Sequence, residues 1–212
     1  MFGKIDTAEK LAICERQYQR HLSHMEDENY FEPLEDHSED SITRKYKQNL
    51  SDIFHLDKIK DNQFYFLIVP SFEPENLLII EKQQGRYCLT HIRLIKSYWL
   101  IFYADNKVAN VESITSSSEL KVDIGDSIFK LLNKTVIEAR KPSTQVFVLD
   151  GTVYRLSSIL NGAQKIVSKH SPDENSRSGK VIAIMEQLIE NINNMDDAAH
   201  LSIKKMIDAL EN

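Results

Sequence analysis

The stretch from Gln63 to Ile95 leaves the least freedom in how this chain folds. Gln63–Pro70 (QFYFLIVP) is aromatic and β-branched, which is strand composition, and Pro70 cannot continue a ladder. Residues 71–76 are turn-like, and Leu77–Glu81 reads as a second strand. Gln83-Gln84-Gly85 is the next turn. From Arg86 to Ile95 the residues alternate, with Tyr87, Leu89, His91 and Arg93 on one side and Cys88, Thr90, Ile92 and Leu94 on the other. Two further strands are expected at Ser97–Tyr103 and Val108–Ile114, separated by a turn at Asp105-Asn106. Consecutive strands with short connections make an antiparallel meander the economical topology.

Helices are expected on either side of this region. Residues 7–25 carry Leu11, Cys14, Tyr18 and Leu22 on one helical face, with Thr7 as the cap. Residues 41–60 place Ile42, Tyr46, Leu50, Ile53 and Phe54 at near-helical spacing. Residues 122–140 form an apolar stripe that Asp123 is expected to cap and Pro142 to end. Two amphipathic helices close the chain, over residues 178–193 and 196–210. Between them Gln145–Leu149 and Thr152–Leu156 flank Asp150-Gly151, a dipeptide suited to a type I′ hairpin turn. Only six Gly and five Pro in 212 residues favour long elements over a sandwich of tight turns. The expected class is α+β, an antiparallel sheet (meander plus C-terminal hairpin) packed with helices at the N-terminus, middle and C-terminus. The expected organisation is a helical, acidic segment over 1–60 and an α+β core over 61–212.

Charge and cysteine content narrow the function. The net charge of -6 argues against a phosphate-backbone partner, so no nucleic acid is expected. Two cysteines, Cys14 and Cys88, do not make a disulfide framework and read as reduced thiols. No apolar run approaches the ~20 residues that span a bilayer, so no membrane partner is expected and the location is read as cytoplasmic. Leu-Ala-Ile-Cys14 superficially matches a lipoprotein cleavage site, but Asp6, Glu9 and Lys10 interrupt the apolar core that such a leader needs.

Motifs for catalysis are missing. Ser178-Gly179-Lys180 lacks the second glycine and preceding strand of a phosphate loop and reads as a helix start. His21, His24 and Glu28 have ligand-type spacing with no third histidine nearby, and no metal or other cofactor is expected. Cys88 and His91 fall on opposite faces of one strand. Glu112, Glu119, Asp123 and Asp126 cluster near a helix start without a calcium-loop pattern.

The sharpest compositional shift is residues 26–40, with eight acids in fifteen residues and no Lys or Arg. Tyr30, Phe31 and Leu34 are interleaved with them. Besides a solvated linker, such a segment is a surface for a basic protein partner, because complementary charge speeds association. The candidate partner-binding residues are Tyr30, Phe31, Glu32, Glu35, Asp36 and Glu39.

Leu149-Asp150-Gly151-Thr152-Val153-Tyr154, then Gly162, Ser171-Pro172 and a helix from Ser178, follow Lys141-Pro142 at a helix end. This layout resembles small uncharacterised bacterial proteins in which a Leu-Asp-Gly-x-x-Tyr hairpin leads into a Ser-Pro turn and a helix. The resemblance covers the C-terminal half and implies an immunity or accessory role, without carrying over any catalytic residue. The expected function is a non-enzymatic cytoplasmic protein-binding protein of immunity or inhibitor type. A structural or homo-oligomeric accessory protein, and an enzyme with a dispersed site around His91, Tyr154 or the acids near 112–126, are the alternatives.

Overall fold

The structure, a computed structural model, describes residues 7–34, 41–105, 111–143 and 150–211. In chain order the elements are α1 (Thr7–Asp27), β1 (Glu32–Pro33), α2 (Ser41–Phe54), a short 3-10 turn (Leu56–Lys58), β2 (Gln63–Pro70), β3 (Asn76–Gln83), β4 (Arg86–Leu94), α3 (Tyr98–Asp105), β5 (Ser113–Leu120), α4 (Val122–Ile137), β6 (Thr152–Leu160), β7 (Ala163–His170), α5 (Arg177–Glu190) and α6 (Asp197–Glu211). The fold is α+β. All seven strands form one antiparallel sheet in the order β1-β7-β6-β2-β3-β4-β5.

Strand β2 sits at the centre, flanked by β3 and β6, and its alternation supplies both faces. Phe64, Phe66 and Ile68 point to one side, where Leu78, Ile80, Tyr87, Leu89, Leu156 and Val167 join them under α4, α5 and α6. Tyr65 and Leu67 point to the other, where Leu77 and Leu94 meet Tyr46, Leu50 and Phe54 of α2 and Tyr98 and Phe102 of α3. Burial on both faces explains why β2 reads as an unbroken apolar run. The N-terminal 60 residues thus contribute to both cores, through Phe31 on the first side and α2 on the second.

Two of the turns follow from backbone chemistry. Gln84 and Gly85 (φ 49° and 82°) join β3 to β4, and Asn161 and Gly162 (φ 54° and 73°) join β6 to β7. Positive φ at both central residues matches the right-handed strand twist. The hairpin was expected instead across Asp150-Gly151. Its first arm, 145–149, lies outside the described residues. Its second arm belongs to β6, whose two edges are taken by β2 and β7, as at Leu67↔Arg155↔Ser168.

Three other expectations change. Residues 98–103 form helix α3 and not a strand. The strand expected at 108–114 falls partly outside the described residues, and β5 runs from Ser113 to Leu120. Helix α4 starts after Lys121 with no side-chain cap, so Asp123 lies in its first turn.

Candidate interaction surfaces

The described acids of residues 26–34 are turned inward. Lys169 on β7 is buried, and its ammonium donates to the Asp27 carbonyl (3.0 Å) while lying 3.5 Å from Glu28 and 3.4 Å from Glu32. The Asp27 carboxylate accepts from the backbone N–H and hydroxyl of Ser143 (2.8 and 2.7 Å). Arg140, just past α4, lies 2.9 Å from Glu26 and stacks over the Tyr30 ring at 3.8 Å. Glu28 also accepts from the backbone of Asp173, and Asn29 accepts from that of Arg177 (both 3.0 Å). The end of α1 is therefore a clasp on β7, α4 and α5.

This changes the reading of the candidate partner residues. Phe31 is 2% exposed and belongs to the core, so it cannot anchor a partner. Tyr30 is half-buried beneath Arg140. Glu32 pairs with Ser168 in the sheet and faces Lys169. Glu35, Asp36 and Glu39 lie outside the described residues. Lys169, which neutralises two of these acids, is more than 130 residues away in sequence and invisible to any local scan.

The groups weighed for chemistry each have their own partner. His91 faces Asn76 (3.3 Å), and Tyr154 donates to Glu186 (3.0 Å). Asp126 accepts from the Tyr87 hydroxyl and from Lys82, and these two bonds hold its carboxyl below the usual range. Glu119 lies 3.9 Å from Arg86. His24 lies 4.0 Å from Glu28, and among the described residues no three metal-type ligands converge. Ser178 is buried and donates to the Glu28 carbonyl, while a Cβ on Gly179 would fall 2.1 Å from the Asp173 carbonyl oxygen. Close packing thus accounts for the Ser-Gly pair that resembled a phosphate loop. A cleft of about 210 Å³, lined by Tyr30, Thr135, Glu138 and Arg177 among others, is smaller than the roughly 300–1,000 Å³ of ordinary small-molecule sites.

Helix α3 is different. Its sequence, YWLIFYAD, is apolar all round, which is ordinarily the mark of a buried helix. Only one side is buried, through Tyr98 and Phe102. Leu100 is 52% exposed and Tyr103 47%, and Ile42 on α2, one turn before Tyr46, is 48% exposed. The helix is held by a buried carboxylate from the loop after β2. Glu75, fully buried, accepts from the backbone N–H groups of Tyr98 (2.7 Å) and Trp99 (2.9 Å) and from the Tyr46 hydroxyl (2.7 Å). Burial, with the Glu75 charge beside it, pushes the Tyr46 hydroxyl far above the ordinary tyrosine range, so it stays a donor. The aromatic rings interlock, with Tyr46 edge-on to Trp99 (4.8 Å) and Trp99 against Tyr103 (4.2 Å). The sequence signal was the run itself: six consecutive apolar or aromatic residues that no strand partner explains.

No protein-family model, curated protein or solved structure matches the chain. Among the described residues no helix is long and apolar enough to cross a membrane.

Proposed function

We propose that this is a non-catalytic protein-binding protein that seats its partner on the outward face of α3. The observation that carries the reading is an apolar helix, capped by a buried carboxylate, that leaves Leu100 and Tyr103 bare. Large apolar and aromatic side chains held rigidly at a surface are what interface anchors require, because little side-chain entropy is lost on docking. Around this face the charge is positive, with Arg44, Lys45 and Lys47 on α2 and Lys96 just before α3. The partner chemistry that fits is an apolar patch with an acidic rim, in place of the basic partner that residues 26–40 implied. The immunity- or inhibitor-type role implied by the C-terminal resemblance is one form of this function, since it needs a stable stoichiometric complex and no turnover. The two free thiols, Cys14 and Cys88, are in keeping with a cytoplasmic setting.

The test is a parallel affinity purification of the wild type and the double variant Leu100→Asp, Tyr103→Ser. Both side chains face solvent, so unfolding should move by less than about 0.5 kcal/mol per site. A stoichiometric companion recovered with the wild type and lost with the folded variant supports the reading. Equal recovery by both, or no companion for either, defeats it.

A further inference from the structure

The two edges of the sheet are not equally protected. At one edge β1 is two residues long and contains Pro33, both of which are ways of blunting a strand edge. At the other, β5 has eight residues, no proline and no lysine, and keeps one unbroken register with β4 from Tyr87↔Leu120 to Leu94↔Ser113. It is the last strand of the sheet among the described residues. The backbone N–H of Ile95 donates to the Glu112 carbonyl (3.0 Å), one step beyond that register. Antiparallel geometry then fixes the rest: even-numbered residues of β5 bond to β4, and Thr115, Ser117 and Glu119 turn their N–H and C=O groups outward.

We infer that β5 pairs antiparallel with β5 of a second copy of this chain, making one continuous sheet across a two-fold axis at Ser117. This inference is independent of the α3 reading. The argument for a second copy over a foreign strand is self-complementarity, which an isologous contact demands. Centred on Ser117, the pairing sets Ser117 against Ser117 and Thr115 against Glu119 of the other copy. Each outward backbone group thereby meets an outward backbone group. The only charged side chain on β5, Glu119, falls opposite a threonine and not opposite its own copy, so no like charges face each other. On the face covered by α4–α6, Ile114 falls opposite Leu120, with Val122 diagonal to it. Ile114 is 61% exposed and Val122 52%, and the two-fold covers both at once.

The test is sedimentation across micromolar concentrations together with amide exchange along β5. The expected result for the wild type is a concentration-dependent dimer in which the amides of Thr115, Ser117 and Glu119 become protected along with those of their even-numbered neighbours. Ser117→Lys places two ammonium groups opposite each other at the axis and should weaken association about tenfold or more while circular dichroism stays unchanged. Ser117→Pro removes only an outward donor and should also yield a folded monomer. Three results overturn the inference. One is a wild type that is monomeric throughout. Another is a dimer whose three outward amides exchange as fast as in the Ser117→Lys variant. The third is a dimer that survives Ser117→Lys intact.

Discussion

The two faces of the sheet are built to different standards. On the face covered by α4, α5 and α6, the central strands and the helices exclude solvent together: Phe66, Leu78, Ile80, Leu89, Leu156, Met185 and Leu188 are all at or below 1% exposure. On the other face α2 and α3 cover Tyr65, Leu67, Leu77 and Leu94, yet Cys88, Thr90 and Ile92 remain half-buried and Thr115, Ser117 and Glu119 exposed. The covered face has its helices stacked on one another as well as on the sheet. The half-covered face relies on two shorter helices fixed by one buried carboxylate. Stability is concentrated on the first, and the surfaces able to meet another molecule, the outer side of α3 and the edge of β5, fall on or beside the second.

The contrast can be broken most forcefully from the covered side. Phe66→Ala should cost about 3–5 kcal/mol in urea unfolding, because the surrounding helices cannot collapse into the space. A loss below about 1 kcal/mol would mean that this face is far looser than its burial indicates. Glu75→Ala should cost less, about 2–3 kcal/mol, since it removes a helix cap and leaves the Tyr46 hydroxyl without its acceptor. Its signature is local: α3 amides should exchange early while those of β2 and α5 stay protected. Simultaneous loss of protection in all three would show that the two faces are one cooperative unit.

The smallest effect concerns two histidines on opposite faces. Burial lowers both His91 and His170; Arg93 adds to the effect at His91, whereas Glu32 opposes it at His170. A histidine lowered in the folded state is neutral there, so the unfolded chain takes up the proton first. Its contribution is intact above about pH 6.5 and shrinks as the pH falls below that. His91→Gln should therefore flatten the acid limb of the stability profile more than His170→Gln does. Identical profiles for the two variants would remove this distinction.

How much of this could be read from the sequence depended on how local the cause was. Strand β2 was legible to its ends, because period-two packing and Pro70 are written in adjacent residues. Helix α3 was misread because its aromatic run has strand propensity, while the carboxylate that turns it into a helix stands at Glu75, more than twenty residues earlier. Asn161-Gly162, a strong hairpin signal, was passed over for Asp150-Gly151, which resembles it locally. Only the pairing of β6 on both edges separates the two. The acidic segment looked like a free surface because its neutralising cation, Lys169, comes from the far end of the chain.

The position of β2 bears on how the chain is made. Its partner on one side, β3, leaves the ribosome moments after it, but the other side waits for β6, whose residues begin at Thr152. For the synthesis of some eighty residues the most apolar strand of the protein would have an open ladder edge and two unroofed faces. At about 5–20 residues per second that interval lasts several seconds or longer. Pairing over such a sequence distance is intrinsically slow. The nascent chain is thus a natural client for chaperones, and slower translation after residue 83 should lower its soluble yield more than slower translation after residue 170.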